Sequence, residues 1–299
     1  MGQVLLTFYL LVGAGYLLKR LGVFKTEESA TFVKYIVYFA LPVAVLGIIH
    51  DFPFSVKDFL VFTTAWVSIL ATYLFVFLFL KRRLKDAKKL KTLFLTMAFG
   101  NTAFVGYPIA YSLFGDKGLA YAMLYDVIGN FLVVVTFAVF VITGRIDWRT
   151  LYHFPPLGAL IVAFLTKPLP LSFLKTFVGV VKASITPAVV FALGLRLEPK
   201  GALGNLREAL LAVLWRQLVV PAGVLFWLLL LEKLGLKLPF EEKMVILLQS
   251  SMPPFVMSVV LSEKYQLNTD LAVAAVNIGL ALLLFTLPLW YSIGKFFFS

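Results

Sequence analysis

The chain has 299 residues, 61% of them apolar and only 14% charged, with a mean hydropathy of +0.96 and a formal net charge of +12. Soluble domains carry roughly 25% charged residues, so this chain cannot clothe an apolar core in charge and reads as an integral membrane protein. Its 27 basic residues against 15 acidic ones sit between apolar runs, where topology signals belong rather than a nucleic-acid face. With no cysteine, disulfides, thiolate metal sites and cysteine catalysis are excluded.

Taken in chain order, apolar runs between charged breaks predict ten membrane segments. They lie at roughly 4–22, 30–49, 58–80, 92–114, 119–142, 155–171, 174–195, 208–231, 243–262 and 271–294. The first has no basic residues ahead of it, so Met1-Gly2-Gln3-Val4 reads as the entry to a retained helix. The second holds Pro42. The fourth is interrupted by Gly100-Asn101-Thr102-Ala103-Phe104-Val105-Gly106-Tyr107-Pro108. The fifth carries Asp126 and Asn130, four residues apart and therefore on one helix face. Lys182 and Pro187 fall in the seventh, and Arg216 in the eighth, followed by Gln217 and Pro221. The ninth is interrupted by Gln249-Ser250-Ser251-Met252-Pro253-Pro254, and Asn277 lies in the tenth.

The basic residues record a topology. Seventeen lie in the connections after segments 1, 3, 5, 7 and 9 or at the segment ends beside them, and eight in or beside the other connections and the C-terminal end. That asymmetry puts both termini outside and the odd-numbered loops in the cytoplasm of a multi-pass cell-membrane protein. Five segments per half then require the second half to enter from the opposite side. Pro42 and Pro187 are 145 residues apart, and so are Pro108 and Pro253. One offset at two landmarks predicts an inverted repeat, with 1–145 as the first five-helix unit and 146–299 as the second.

Proline removes a backbone donor and clashes with the preceding turn. Unpaired backbone at membrane depth is tolerated only inside protein or beside a water-filled cavity. Segments 4 and 9 are therefore expected to be broken helices that cross near the midplane, at Gly100, Gly106, Pro108, Pro253 and Pro254. Half-helix N-termini there carry partial positive charge and can hold a carboxylate without a fixed cation. Asn101, Thr102, Asn130, Gln249, Ser250 and Ser251 are the candidate substrate contacts. For either segment alone, an ordinary proline kink in a packed helix is the competing reading.

A mid-membrane aspartate costs about 2.5–3.5 kcal/mol even on the lower insertion scale, so Asp126 is expected to face a cavity or a partner. Two readings stay open: a proton- or cation-coupling group beside Asn130, or a polar pair holding two helices together. Lys182 and Arg216 could each neutralise Asp126 or attract an anion, and Lys182 could instead snorkel to the interface. Asn277 could face the breaks or bond a neighbouring helix. His50 and His153 are expected at the membrane interface, and no metal site is predicted.

The stretch Gly100-Asn101-Thr102 through Gly106-Tyr107-Pro108 resembles the fourth-span crossover of the auxin efflux carrier (PIN-like) family. The stretch from Gln249 through Met252-Pro253 to Glu263-Lys264-Tyr265, Asp270 and Ala275-Val276 is similar to that family's ninth span and its entry to the tenth. The resemblance implies an all-α carrier of two inverted five-helix repeats. In it a domain holding the crossover would move like an elevator against a scaffold built around spans 1, 2, 6 and 7. It also implies that Asn101 contacts a carboxylate, that Pro108 and Pro253 are the crossing prolines, and that Asn130 keeps the amide of the fifth span. Bacterial members look like carriers of small organic anions such as malate or malonate, and plant members export auxin. Here the sixth span opens with Phe154-Pro155-Pro156 instead of the asparagine-rich start of the plant members, and their long hydrophilic loop is absent.

An intramembrane aspartyl enzyme would need a second aspartate within a span to share a proton with Asp126, and Asp116 lies in a loop; no catalytic residue is predicted. A sodium- or proton-coupled carrier of the bile-acid-symporter type stays open, although antiporters of that architecture present paired acids where this chain has amides and hydroxyls. A channel is disfavoured for want of a repeated pore-lining ring. The sequence thus predicts a secondary carrier or facilitator of a small organic anion, a mono- or dicarboxylate or an auxin-like acid. Its expected partners are that anion and the lipid bilayer, with no nucleic acid and no cofactor. Coupling to Na+ or H+ and assembly as a homodimer are left open.

Overall fold

The computed structural model describes residues 1–146, 148, 154–197 and 205–299. His153, Arg149 and Lys200 lie outside the described residues. Among the described residues the chain is all-α, and its only extended pairing is an isolated antiparallel bridge between Gly100 and Pro254.

Among the described residues seven helices are long and apolar enough to cross a membrane. In chain order they are α1 (Gly2–Arg20), α2 (Thr26–Asp51), α3 (Val56–Arg82), α5 (Thr102–Thr143), α7 (Ser172–Arg196), α8 (Leu206–Lys233) and α11 (Thr269–Phe298). Between them stand the shorter helices α4 (Ala87–Ala98), α6 (Pro155–Leu165), α9 (Phe240–Ser250) and α10 (Met257–Lys264). The difference from ten predicted segments has local causes. The fourth and ninth segments are each cut at their break into two shorter pieces. The sixth stops at Leu165 because Pro168 and Pro170 follow, and proline disfavours helix in the residue before it.

The 42 residues of α5 hold the second piece of the fourth segment and all of the fifth. As one straight rod they would measure ~63 Å at 1.5 Å per residue, about twice a bilayer core. Gly115 divides them: its φ of +60° and ψ of −149° are non-helical and suit a residue without a Cβ. Side-chain caps fix other ends. Asp86 accepts hydrogen bonds from Lys88 N (2.8 Å) and Lys89 N (3.1 Å) at the start of α4, and Asn268 accepts from Leu271 N (2.9 Å) at the start of α11.

Packing follows the rule for membrane helices, in which small residues let backbones approach. Gly15 of α1 and Gly194 of α7 face one another: an added Cβ would lie 2.3 Å from Phe191 O at the first and 2.1 Å from Val12 O at the second. Large apolar residues such as Leu6, Phe226 and Phe285 are exposed on the outside of the bundle, where lipid would cover them. Polar contacts between distant helix ends fall into two sets with no common member. One set joins Lys117 to Glu241 (3.3 Å), Lys175 to Asp51 (3.6 Å) and Lys182 to Asp116. The other joins Lys89 to Glu208 (3.0 Å), Lys91 to Ile142 O (2.8 Å), Arg196 to Ser29 (2.9 Å) and Asn268 N to Thr92 (3.1 Å).

Candidate functional site

The two interruptions meet. Between α4 and α5, and between α9 and α10, the chain is extended, and the two stretches pair: Asn101 N donates to Pro253 O (2.8 Å) and Phe255 N donates to Phe99 O (3.2 Å). Four helix ends therefore converge on one small region. The C-terminal ends of α4 and α9 bring carbonyls to it, and the starts of α5 and α10 bring N–H groups.

Arg216 resolves the carbonyl side. It is buried on α8, where its guanidinium donates from Nη1 to Ala98 O (3.2 Å), from Nη2 to Gln249 O (3.3 Å) and from Nε to Met252 O (3.2 Å). One cation thus caps the negative ends of both interrupted helices. Gly100 leaves room for it, since a Cβ there would sit 2.3 Å from Nη2. Among the described residues Arg216 has no ion-pair partner.

Asp126 and Asn130 organise the other side. The first turn of α5 is π-helical, with Asn101 O accepting from both Val105 N (3.1 Å) and Gly106 N (3.2 Å). A second π-helical stretch, Tyr125–Phe131, carries Asp126 and Asn130, and a third, Trp215–Val219, carries Arg216. Widened turns of this kind recur at functional sites because they re-aim side chains. Asp126 accepts from the hydroxyls of Thr102 and Tyr107 (2.7 Å), and Asn130 Nδ2 donates to Gly100 O (3.1 Å) and Thr102 Oγ1 (2.8 Å). All four side chains are buried. None of Asp126's partners is a cation; Arg216 turns to carbonyls instead.

Two amides are left without partners. Among the described residues Asn101 Nδ2, and both Nε2 and Oε1 of Gln249, are buried with no hydrogen bond. Such groups cost about 1–3 kcal/mol each and mark a place where polar atoms from outside the chain would complete the bonding. Gln249 lies against Gly106, where an added Cβ would come 2.0 Å from Oε1. Ser250 and Ser251 behave differently. Their hydroxyls donate back to Leu247 O (2.7 Å) and Leu248 O (2.8 Å) within α9.

Of the remaining candidates, Pro108 follows Tyr107 in α5 and lines a cavity of about 310 Å³ with Val4, Thr7, Ser112 and Thr186. Pro253 and Pro254 pack on Gly279 of α11, whose missing side chain would lie 2.6 Å from Pro254 Cδ. Asn277 is half-buried two residues before that contact. Lys182 stands apart from the breaks: it pairs with Asp116 and lies 5.0 Å from the ring centre of Tyr111. His50, at the end of α2, bonds Asp51 (2.9 Å) and the carbonyls of Thr166 and Leu169. Sequence reasoning did not assign Tyr107 to Asp126, although it lies inside the quoted motif. It also missed Gly279, for which the one available signal is a glycine inside a long apolar helix.

The sequence pattern of the family described as membrane transport protein matches residues 1–148 and 138–291. The chain belongs to that family, the PIN-like auxin efflux carriers. Two family relatives are alike over almost their whole length. An uncharacterised transporter of Methanocaldococcus jannaschii is 30% identical over 305 residues, covering 96% of this chain and 97% of its own. An uncharacterised transporter of Methanothermobacter thermautotrophicus is 29% identical over 301 residues, covering 96% of each. This is a multi-pass protein of a membrane transporter family.

Proposed function

We propose that the protein is a secondary carrier or facilitator for a small organic anion, a mono- or dicarboxylate, bound where the two interrupted helices meet. The observation that carries this reading is the pair of buried amides, Asn101 and Gln249, with polar atoms unpartnered among the described residues, beside a guanidinium that has no counter-ion among them. A carboxylate would accept from Asn101 Nδ2, Gln249 Nε2 and the first N–H groups of α5, and would meet the positive charge of Arg216 at the same place. Asp126 serves as a knot rather than a ligand in this reading: its two oxygens hold Thr102 and Tyr107, and through Thr102 they hold Asn130 and the start of α5.

The ten-span topology, with 1–145 and 146–299 as inverted repeats and both termini outside, agrees with the two sets of end contacts. Every contact of the first set joins even-numbered loops or segment ends, and every contact of the second joins odd-numbered ones. Movement in the elevator manner is supported by two crevices that part α1, α2 and α7 from α5. One is the cavity beside Pro108. The other, about 540 Å³, is lined by His50, Asp51, Asp116, Lys117, Lys175 and Lys182 among others.

A thermal-shift screen of organic anions on purified protein, with and without sodium, tests the reading. A carboxylate is expected to raise the unfolding midpoint of the wild type and to raise that of Asn101→Ala far less. An equal shift in both proteins, or stabilisation by cationic solutes alone, would remove the assignment. Dependence of the shift on sodium would favour a sodium-coupled carrier.

A further inference from the structure

Glu242 stands in the first turn of α9, one residue before the ninth predicted segment, and takes no part in the site above. It is fully buried, and neither of its carboxyl oxygens has a hydrogen-bond partner among the described residues. Each element that packs on α9 brings charged or titratable groups, and those that act on Glu242 are Asp58, Lys117 and Lys57. From α3 come Asp58, which is buried and accepts from Ser55 N (2.6 Å), and Lys57, which is exposed. From α5 come Tyr121, also buried, and Lys117, which pairs with Glu241 at 3.3 Å. Glu232 of α8 pairs with Lys243 at 3.2 Å, and Lys295 of α11 lies over the ring of Tyr291. The nearby lysines of α5 and α9 are thus bonded to other carboxylates. The charge of Asp58 opposes ionisation of Glu242, while Lys117 and Lys57 favour it.

A carboxylate ion without donors is not stable in such a place; the group neutralises by taking a proton. Burial first, and then the charge of Asp58, push the Glu242 carboxyl up to about 8. An alanine or leucine would fill this position at no polar cost, so a glutamate that bonds nothing in the arrangement seen here has its use in another arrangement.

We propose that Glu242 is a proton-binding site: it holds a proton while the start of α9 is packed on α3 and α5, and releases it when that end parts from them and meets water. Falling pH then favours the packed arrangement, because that arrangement holds the proton more tightly than an exposed glutamate, whose ordinary value is about 4.3. The preference declines as pH rises above that ordinary value and is gone by about 8. In the proposed carrier this would tie proton occupancy to a local opening at the start of α9, one of the two interrupted helices, distinct from the movement of α5 against α1, α2 and α7. That link rests on the carrier reading, whereas the proton site does not, so the test uses protein without substrate.

The measurement is infrared difference spectroscopy of the carboxylic acid band on the full chain in lipid, from pH 6 to pH 10, together with the thermal midpoint across the same range. Wild type is expected to lose a protonated-carboxyl band near pH 8, and its thermal midpoint is expected to fall from pH 6 to about pH 8 and to level off above that. Glu242→Gln keeps the shape of the neutral side chain and is expected to lack that band and to show a flat midpoint across the range. Asp58→Asn, which removes the like charge, is expected to move the band's midpoint to lower pH. A band that persists in Glu242→Gln and disappears in Asp126→Asn would overturn the assignment, as would a wild type with no protonated carboxyl at pH 7. Either result would leave anion binding at the breaks untouched, and failure of anion binding would leave the band in place.

Discussion

Arg216 shows how much one side chain decides in this fold. It supplies three donors to carbonyls that two separate helices leave open, in a place buried away from water. Arg216→Met keeps an unbranched apolar stem and removes every donor. Leaving buried acceptors unpaired is expected to cost on the order of 3 kcal/mol, read as a lowered unfolding midpoint in detergent; an unchanged midpoint would show that the carbonyls find other partners. Gly106 makes the matching case for the binding side. Gly106→Ala pushes a methyl group onto the Gln249 amide, and anion affinity is expected to fall about tenfold, a loss of ~1.4 kcal/mol, measured by calorimetric titration. The sequence makes the residue types at this site legible, because prolines, glycines and amides are conspicuous in apolar runs. It does not make their directions legible. Arg216 and Asp126 are two opposite charges within spans, yet each bonds neutral groups, since π-helical turns shift the faces that a 3.6-residue period would assign. Ser250 and Ser251 likewise look like site hydroxyls until their bonds back into α9 are seen.

At the scale of elements, breaks matter more than helices. The apolar runs mark most helices to within a few residues, and the failures fall where a helix is shorter or longer than its apolar run. The sixth segment overruns because Leu169 and Leu171 extend the apolar pattern past two prolines. The fourth and fifth merge because only Gly115 turns the chain between them. Nothing lies within 4 Å of the place a Gly115 side chain would occupy, so the effect of Gly115→Ala is one of backbone conformation alone. A non-glycine residue held there is expected to lower stability by about 1–3 kcal/mol, checked by the thermal midpoint. A wild-type midpoint would mean that the turn relaxes. Gly194→Leu tests a different contact: its side chain would meet the backbone of α1 at Val12, so the two helices must part or the protein unfold. Either is expected to show as a drop in folded yield larger than that of Gly115→Ala.

For the whole molecule, composition and charge give the strongest signals the sequence offers. The 61% apolar content assigns the bilayer, and the basic residues give an alternation that the contacts between helix ends respect. The absence of cysteine makes this alternation testable without a background correction. Single cysteines at Lys57, Lys117 and Lys237 are expected to react with an impermeant maleimide from outside intact cells. Cysteines at Lys88 and Lys264 are expected to react only after permeabilisation. Lys88 and Lys117 labelled from the same side would contradict the ten-span topology. The substrate is less legible than the topology, because in the proposed reading Asn101 and Gln249 would meet one polar group and leave the remainder of the molecule that carries it unspecified.

Anion binding at the meeting of the two breaks is tested most directly by one titration. The purified protein is titrated with its best-stabilising carboxylate and with the uncharged amide of the same compound, in wild type and in Asn101→Ala. The expected result is saturable binding of the carboxylate to wild type, at least tenfold weaker binding to the variant, and no measurable binding of the amide to either. Equal affinity of wild type and Asn101→Ala for the carboxylate, or equal affinity of wild type for acid and amide, would contradict it.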